Sequence, residues 1–355
     1  MSILGSQKVD AGMVSRILPL ASAMEKLGTY CNVIRQVDYS FFRNKKVSDI
    51  MSVIVSHHPS DYLRLLTDPP QIVVFEGVAT PQMLLLQKIL RRRNIKVVYD
   101  MCDALFLSSA SLFGVKLRPG SFSLEAIIKN SDLVLVNGHY LFNFVRSLNK
   151  NTVIIPDPID TDVFRPRAVF SDTLTLGWEG VGKFHYDNLL LIVEPLRRLS
   201  LEFDLRLHLV SSLGDDKIKR MFGPLEKSMD IDYGPVHWVP ADEFPQLLSD
   251  FDIMLSPLQN TPWYNGKSAL RVGIGMALGI PIVASPVGEQ KIEVRDGING
   301  YLAKDEEGWY TCLKKLIENE PLRIEMGKNG RKIAEKDLSL EYCSKRLLKL
   351  LSDLL

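Results

Sequence analysis

The sequence predicts an α/β fold made of two βαβ domains whose parallel sheets face each other across a cleft. Short runs of valine, isoleucine and leucine alternate with segments of helical periodicity along the 355 residues. That alternation is typical of parallel sheets covered by helices on both faces. A chain of this length exceeds what one hydrophobic core usually holds. The stretch IIPDPIDTDVFRPR at 154–167 interrupts the alternation, which then starts again.

We place the first domain at residues 1–165. Its strands are short apolar runs, and the segments between them carry apolar residues at the spacing of a helix face. The predicted strands are 2–4, 30–37, 71–75, 95–99, 132–136 and 152–155. The predicted helices are 13–27, 46–57, 80–93, 121–130 and 138–147.

We place the second domain at residues 166–336 and a C-terminal helical segment at 337–355. The predicted strands are 173–178, 203–209, 236–239, 252–255, 281–284 and 300–303. The predicted helices are 184–199, 241–250, 268–278, 305–319, 321–335 and 339–354. The last helix is predicted to place five leucines on one face, Leu347, Leu348, Leu351, Leu354 and Leu355. Ligands of such folds bind at the carboxyl ends of the strands, so the loops that follow the strands are the candidate site.

Composition argues against several classes of function. The formal net charge is +1, whereas nucleic-acid binders usually carry a large basic surplus. The four cysteines are far apart and form no cluster with histidine, so we expect neither a metal nor a disulfide framework. The N-terminus lacks the basic and apolar regions of a secretory signal. We therefore expect a cytoplasmic protein without a cofactor, and the sequence leaves its oligomeric state open.

The loop that follows strand 252–255 carries the sharpest chemical pattern. A helix is predicted to begin at about Ser268, with Gly266 and Lys267 just before it and Arg271 in its first turn. Cations are unfavourable near a helix N-terminus by ~0.3–1 kcal/mol each, unless an anion binds the backbone N–H groups there. We interpret the pattern as a diphosphate site with Lys267 and Arg271 as its cations. A capped helix with two solvated basic residues explains the local pattern equally well.

Two other strand-to-helix turns supply weaker candidates. Gly288 and Glu289 follow strand 281–284, where a glycine lets the backbone approach a ligand. Glu289 is better explained as a first-turn acid that the helix dipole favours. Gly182 and Lys183 follow the first strand of the second domain, and a glycine-rich turn with a lysine often meets phosphate.

The order and spacing of these motifs resemble the retaining GT-B glycosyltransferases of family four, which use nucleotide-diphosphate sugars. The closest likeness covers 251–340 and includes W-x-x-GKS, MALGIPIVASPVG, RDGINGYLA and LIENEPLRIEMGKNGRKIAE. The first half is similar more loosely, through VVYDMCD, SDLVLVNG and IIPDPIDTDVFRP. The resemblance implies two Rossmann-like domains in the GT-B arrangement, with the segment 337–355 crossing back to the first domain.

The chain departs from the family's usual contacts with the donor. Most members carry two glutamates eight positions apart, and these positions hold Gly266 and Ile274 here. A divergent branch of the family has a GK-x-x-x-K/R pattern instead, which Lys267 and Arg271 resemble. The identity of the donor sugar therefore cannot be inferred from the family.

The resemblance implies transfer with retention, without a metal and without an assured protein nucleophile, because the leaving diphosphate can accept the acceptor's proton. The cations that stabilise the diphosphate are then the catalytic groups, here Lys267 and Arg271. The family's lysine on the first loop of the second domain falls near Lys183 or His185. The predicted donor-binding residues are Gly182, Lys183, Gly266, Lys267, Ser268, Arg271, Gly288 and Glu289.

First-domain loops are expected to hold the acceptor. The candidates are Gly12, Glu76, Asp100 and Asp103. For any single one of the three carboxylates, a cap or a domain-interface role is the better explanation. The family's His-Asp after a first-domain strand appears here as Cys102-Asp103.

The run Arg91, Arg92 and Arg93 ends a predicted helix of the first domain. We favour a solvated helix end whose cations suit the dipole. The alternative is peripheral contact with anionic lipid at the inner face of a membrane, as in family members whose acceptors are lipids.

We therefore expect a glycosyltransferase that moves a sugar, hexosyltransferase-like, from a nucleotide-diphosphate donor to a glycan, lipid-linked or small-molecule acceptor. A degenerate GT-B protein that serves as a non-catalytic scaffold or regulatory partner is the alternative. The missing glutamates favour the scaffold, whereas the retained GKS, Arg271 and SPVGE favour the transferase. A sugar-nucleotide epimerase is a third possible function. The linker and the stretch 251–340 argue against it, because they resemble family four and not the epimerases.

Overall fold

The computed structural model describes residues 2–6, 16–36, 67–77, 79–107, 110–112, 115–117, 121–166, 173–210, 214–234 and 243–355. The chain divides into two compact units, Met1–Pro158 with Leu340–Leu355, and Ile159–Ser339. Each unit contains a parallel sheet of six described strands, which confirms the predicted α/β class with two Rossmann-like units. The predicted helix 46–57 and strand 236–239 lie outside the described residues.

The strands alternate with helices in both units. The strands are β1 (Ser2–Ser6), β2 (Asn32–Gln36), β3 (Ile72–Glu76), β4 (Lys96–Met101), β5 (Ala110–Leu112), β6 (Val115–Leu117), β7 (Leu133–Val136), β8 (Thr152–Ile154), β9 (Leu174–Glu179), β10 (Leu205–Val210), β11 (Asp230–Tyr233), β12 (Ile253–Ser256), β13 (Ile282–Ala284) and β14 (Gly300–Leu302). The α-helices are α1 (Leu18–Lys26), α2 (Pro81–Arg92), α3 (Ser121–Asn130), α4 (His139–Arg146), α5 (Tyr186–Ser200), α6 (Asp216–Phe222), α7 (Pro262–Asn265), α8 (Leu270–Ala277), α9 (Gln290–Glu293), α10 (Glu306–Ile317), α11 (Glu320–Ile333) and α12 (Leu340–Ser352).

Four short elements were missed by sequence periodicity for a common reason. The hairpin β5–β6, the edge strand β11 and the short helix α7 span three or four residues each. A periodic pattern needs a longer window than that to be recognised. Helix α7 begins after Thr261, whose hydroxyl accepts a hydrogen bond from the Tyr264 N–H at 3.3 Å.

The first unit has the strand order β2-β1-β3-β4-β7-β8. Successive residues of a strand face opposite sides of the sheet. In β3, Val73 and Phe75 therefore join the core formed with α2, α3 and α4, whereas Ile72 and Val74 join the core formed with α1 and α12. The sheet is thus covered by helices on both faces, as its continuous apolar strands predict.

Helix α12 belongs to the first unit, where it packs against α1. Leu347 and Leu351 are buried in the core that they share with that helix. Leu355, which was predicted on the same face, is 66% exposed. It lies beyond the last helical residue, Ser352, so the helical spacing no longer applies to it.

Arg16 joins three separate parts of the first unit. Its Nε and Nη2 donate to both carboxylate oxygens of Asp100 at 2.9 and 3.0 Å. Its Nη1 donates to the carbonyls of Ile155 and Pro156 at 2.9 and 3.0 Å and to the carboxylate of Asp157 at 3.2 Å. Only 1% of the Arg16 side chain and 2% of the Asp100 side chain are exposed. The bidentate pair with Asp100 fixes the segment before α1 to β4, and the bonds of Nη1 fix it to the segment that follows β8.

The second unit has the strand order β11-β10-β9-β12-β13-β14. The order reverses between β9 and β12, which are hydrogen-bonded neighbours. In β12, Ile253 and Leu255 join the core formed with α5 and α10, whereas Met254 joins the core formed with α8.

An aspartate before a strand fixes the neighbouring strand in both units. The Asp132 carboxylate accepts a hydrogen bond from the Val97 N–H at 2.8 Å. The Asp252 carboxylate accepts one from the Thr175 N–H at 2.7 Å. Since Asp132 precedes β7 and Asp252 precedes β12, each carboxylate satisfies a backbone donor at the start of the adjacent strand.

We predict that Arg16→Leu lowers the free energy of unfolding of the first unit by about 3–5 kcal/mol, because Asp100 is left buried without a compensating charge. Urea denaturation followed by circular dichroism measures the change. Arg197→Leu is the matched control, since Arg197 is 49% exposed in its pair with Glu194 and such a pair contributes at most about 1 kcal/mol. Equal effects of the two substitutions would contradict the prediction.

Candidate functional site

The candidate site lies at the carboxyl ends of β9 and β12 in the second unit. In a doubly wound sheet, ligands bind where the strand order reverses, because the loops of the two strands diverge there and leave a crevice. Strand β9 ends at Glu179 and β12 ends at Ser256. The side chains that converge on this point come from the turn after β9 and from the loop and helix after β12.

Arg271 bridges the two strand ends. It is the second residue of α8, so it lies in the first turn of the helix that follows β12, as predicted. Its Nε donates to the Glu179 carbonyl at 2.8 Å and lies 3.3 Å from the Glu179 carboxylate, and its Nη1 donates to the Ser256 hydroxyl at 3.4 Å. The Arg271 guanidinium also lies over the Trp178 ring, 5.5 Å from the ring centroid. Four contacts therefore hold this guanidinium in one place, with 12% of the side chain exposed.

Gly180 makes room for this arrangement. Its φ is +150°, and a Cβ at this position would lie 2.8 Å from Arg271 Nη2 and 2.9 Å from the Trp178 ring. A larger residue would therefore displace the arginine from the end of β9.

Lys267 lies between α7 and α8 instead of at a helix start. Helix α8 begins at Leu270, two residues later than predicted. The N–H of Gly266 bonds back to the carbonyls of Pro262 and Trp263, and the N–H of Lys267 bonds to the Tyr264 carbonyl. These two amides therefore complete α7, and they are not donors for an anion. The correction follows from Thr261, which caps a helix that sequence periodicity does not detect.

The Lys267 ammonium lies 4.8 Å from the centroid of the Trp263 ring. Lys267 and the following Ser268 are half-buried, and the preceding Gly266 is buried. The three residues thus occupy the short link that leads directly into α8 and Arg271.

The turn after β13 supports the same loop. Gly288 has a φ of +56°, and a Cβ there would lie 2.8 Å from the Tyr264 carbonyl. Its N–H donates to the Asn265 side-chain oxygen at 3.1 Å, so this amide holds α7. Glu289 is buried at 7% exposure and directly precedes α9.

Gly182 and Lys183 lie in a single 3-10 turn, Gly182–Phe184. Gly182 is buried against Ile218, where a Cβ would lie 2.3 Å from the Ile218 Cδ1. Lys183 is exposed, and its ammonium lies 5.0 Å from the centroid of the Phe184 ring.

His185 follows this turn and lies beside both cations. Burial, followed by the charges of Arg271 and Lys267, lowers the pKa of His185 to about 3. Its ring lies 5.8 Å from the Trp178 ring and 6.3 Å from the Tyr264 ring, measured between centroids. The structure thus brings together Lys267, Arg271 and His185, whereas Lys183 points along the surface of its own turn.

The candidate acceptor residues of the first unit end two neighbouring strands. Glu76 and Asp100 are paired across β3 and β4. Asp100 is held on both oxygens by Arg16, and Asp103 is half-buried beyond the end of β4. Gly12 lies outside the described residues.

Cys102 lies beside Asp100, at 3.8 Å from Sγ to the carboxylate. Burial and then the Asp100 charge raise the pKa of the Cys102 thiol well above its usual value. A protonated thiol is a poor nucleophile, so this environment fits a structural cysteine.

Arg91, Arg92 and Arg93 are exposed at the end of α2, as predicted. Among the described residues, none of the helices combines the length and the apolar character that a membrane span requires. The same residues contain no group of three or more His, Cys, Asp or Glu side chains placed to hold a metal ion.

Sequence reasoning missed the residues that position Arg271. Glu179 and Ser256 end two strands that are distant in the chain, and only the parallel pairing of β9 with β12 brings them together. Gln290 was also missed: its side chain is 2% exposed, accepts a hydrogen bond from the Ser256 hydroxyl and donates to the Ser256 and Ser285 carbonyls at 3.2 and 3.1 Å. A polar residue directly after the predicted strand 173–178 is the signal that could have indicated Glu179.

Comparison with known proteins gives a family match in the second unit. Residues 180–319 match the model of the family Glycosyl transferases group 1. No curated protein sequence matches the chain.

Solved structures with a similar fold cover almost the whole chain. A glycosyltransferase from Rickettsia africae is 14% identical with a TM-score of 0.73, over 99% of this chain and 98% of that one. Sucrose-phosphate synthase from Thermosynechococcus elongatus is 14% identical with a TM-score of 0.71, over 99% and 98% of the two chains. Anabaena HepE in complex with UDP is 14% identical with a TM-score of 0.68, over 99% of each chain. The chain therefore has the GT-B fold, and its second unit carries the match to a glycosyltransferase family.

Proposed function

We propose that this protein is a glycosyltransferase that takes its sugar from a nucleotide diphosphate. The observation that carries the proposal is the convergence of Arg271, Lys267 and His185 at the strand-order reversal of the second unit. These residues lie within the segment 180–319 that matches the glycosyltransferase family. The fold is also that of Anabaena HepE, which was solved with UDP.

Two cations that are fixed beside a crevice suit a diphosphate leaving group. As the bond between the sugar and the diphosphate breaks, negative charge builds on the phosphate oxygens, and fixed cations stabilise it without reorganisation. Arg271 is suited to this role because its contacts to Glu179 and Ser256 hold it in place before a ligand arrives. Lys267 supplies the second charge from the adjoining link.

We further propose that transfer retains the anomeric configuration and needs no metal. The support is the likeness of 251–340 to retaining family-four enzymes in motif order and spacing. In that reaction the acceptor oxygen bonds to the anomeric carbon, the bond to the diphosphate breaks, and the acceptor's proton passes to a phosphate oxygen. The acceptor is a glycan, a lipid-linked sugar or a small molecule, and Glu76 and Asp103 remain its candidate contacts, whereas Asp100 is buried and both of its oxygens are held by Arg16.

The other predicted donor contacts divide into two groups. Ser268, on the link before α8, and Lys183, exposed on the turn after β9, stay proposed side-chain contacts of the donor. Gly182, Gly266 and Gly288 shape the backbone around Ile218 and α7. Glu289 stays a proposed donor contact at the start of α9.

We predict that Lys267→Ala weakens nucleotide binding about tenfold to a hundredfold, because a charge-assisted hydrogen bond contributes about 1.5–3 kcal/mol. Titration calorimetry with UDP, GDP and ADP, and with their glucose or mannose esters, measures the dissociation constants. Lys345→Ala is the matched control, since this lysine is exposed on α12 and pairs with Glu341.

The outcome also separates the proposed enzyme from its alternatives. Failure of every nucleotide to bind the wild-type protein at millimolar concentration would contradict the proposal. Binding without sugar transfer to any acceptor would favour a non-catalytic scaffold. Conversion of the donor into a different nucleotide sugar would instead identify an epimerase.

We propose that the exposed face of α2 and α3 makes peripheral contact with anionic lipid. The two helices lie side by side, since Gln87 donates to the Ile127 carbonyl at 3.0 Å and Arg91 to the Asn130 side chain at 3.4 Å. Leu85 and Phe122 are 61% and 80% exposed on these helices. Two neighbouring helices that carry both exposed apolar side chains and a run of exposed arginines suit a surface that is negatively charged and apolar beneath its headgroups.

We predict that Arg91→Glu combined with Arg92→Glu weakens binding to vesicles of phosphatidylserine and phosphatidylcholine at least about tenfold, since each basic residue near such a surface contributes about 1 kcal/mol. Vesicle sedimentation at low salt measures the bound fraction. Lys345→Glu combined with Lys349→Glu changes the net charge equally on α12 and serves as the control. Equal loss in both variants, or no wild-type binding to these vesicles, would contradict this contact.

A further inference from the structure

The imidazole of His185 is held on three sides. The Trp178 ring lies against it at an interplanar angle of 72°, and the Tyr264 ring is stacked at 30°. The Tyr264 hydroxyl donates to the Phe184 carbonyl at 3.0 Å, which ties this phenol to the residue before His185. The third contact is from Asn188, which is 0% exposed, to Nδ1 at 2.9 Å. The ring therefore has one defined orientation.

The hydrogen bonds of Asn188 determine which ring nitrogen carries the proton. The backbone N–H of Gln259 donates to the Asn188 side-chain oxygen at 2.7 Å. A backbone N–H can only donate, so the atom that faces it is the amide oxygen, and the NH2 group must face His185. Because that NH2 group donates to Nδ1, this nitrogen is unprotonated and the proton of the neutral ring lies on Nε2. Nε2 has no hydrogen-bond partner among the described residues.

The ring also stays neutral at physiological pH. Burial disfavours the charged form of the ring, and the charges of Arg271 and Lys267 add to this effect, so the pKa of His185 falls to about 3. The other charged or titratable groups near the ring are Tyr264, the Arg271 partner Glu179, and the sequence neighbours Lys183 and Asp187. A neutral N–H thus lies beside two fixed cations at the crevice of the second sheet.

We propose that His185 is a further donor-binding residue, whose Nε2–H donates a hydrogen bond to a phosphate oxygen of the nucleotide diphosphate that Arg271 and Lys267 neutralise. Asn188 is a positioning residue, since it acts by fixing the tautomer of His185. The inference rests on the proposed function, because it names a third contact in the same donor site. A neutral donor adds a hydrogen bond without the repulsion that a third cation would introduce.

Substitutions at His185 test the contact itself. His185→Leu removes the donor and is expected to weaken the binding of UDP-glucose about tenfold. His185→Gln places an amide N–H near the Nε2 position and is expected to remain within about threefold of wild type. GDP-mannose and ADP-glucose replace UDP-glucose if the latter does not bind. The melting temperature of each free variant shows whether the variant is folded.

Asn188→Asp tests the tautomer with almost no change of shape. A carboxylate still accepts from the Gln259 N–H, but it also accepts from Nδ1, so the neutral ring must move its proton away from Nε2. At about pH 8.5 the lone pair of Nε2 then faces the phosphate, and we expect binding about tenfold weaker than wild type. At about pH 5.5 the carboxylate favours the doubly protonated ring, and binding recovers.

The nucleotide sugar is the right probe for this pH series. A terminal phosphate monoester has a second pKa of about 6, so UDP itself would add its own pH dependence, whereas the diphosphate of UDP-glucose is esterified at both ends. Wild-type binding is expected to vary less than about threefold between pH 5.5 and 8.5. A purely structural role of Asn188 predicts the same loss at both pH values.

The outcomes distinguish this inference from the proposed function. If the wild-type protein binds none of the three nucleotide sugars, the proposed function fails. If it binds one of them and Lys267→Ala weakens binding, but His185→Leu binds within twofold of wild type, only the role of His185 is overturned. A flat pH profile in a folded Asn188→Asp variant overturns the tautomer mechanism.

Discussion

The bridge that Arg271 makes between Glu179 and Ser256 is the interaction on which the candidate site depends. Parallel strands deliver their carboxyl ends to one edge of a sheet, and in the second unit the order reverses between β9 and β12. Arg271 spans this point and contacts the Trp178 ring as well. Trp178 in turn lies against His185, so one guanidinium links both strand ends to the turn after β9. The indole N–H of Trp178 is buried without a partner among the described residues.

Local pattern was enough to predict the sheets and to select the two cations of the candidate site. The apolar runs of β3, β4, β7, β12 and β13 fall within one or two residues of their predicted positions, because buried parallel strands are continuous in sequence. Lys267 and Arg271 could be chosen because the sequence predicts a helix start beside them after a strand, although α8 begins two residues later than predicted. The resemblance of the motifs to a known family added the nucleotide sugar, which no local pattern contains.

The remaining parts of the site depend on contacts between distant segments. Glu179 and Arg271 are 92 positions apart, and Asn188 meets Gln259 across 71 positions. The tautomer of His185 follows from that second contact, so periodicity and spacing give no indication of it. The same reasoning applies to Asp100, whose two oxygens are taken by Arg16 from 84 positions away. A carboxylate at the end of a strand looks available in sequence, although in the fold a distant cation holds it.

The assignment of α12 to the first unit has a consequence for synthesis on the ribosome. The second unit ends at Ser339, and its two chain ends meet where Ile159 pairs with Ser339 and donates to the Leu338 carbonyl at 2.9 Å. It can therefore complete its fold as soon as that residue emerges. The first unit begins earlier but must wait, because Leu347 and Leu351 complete the core that contains Met24 and Val98. The nascent chain thus carries an apolar face without its cover until the last helix emerges, so the unit that is synthesised first is the one that finishes last.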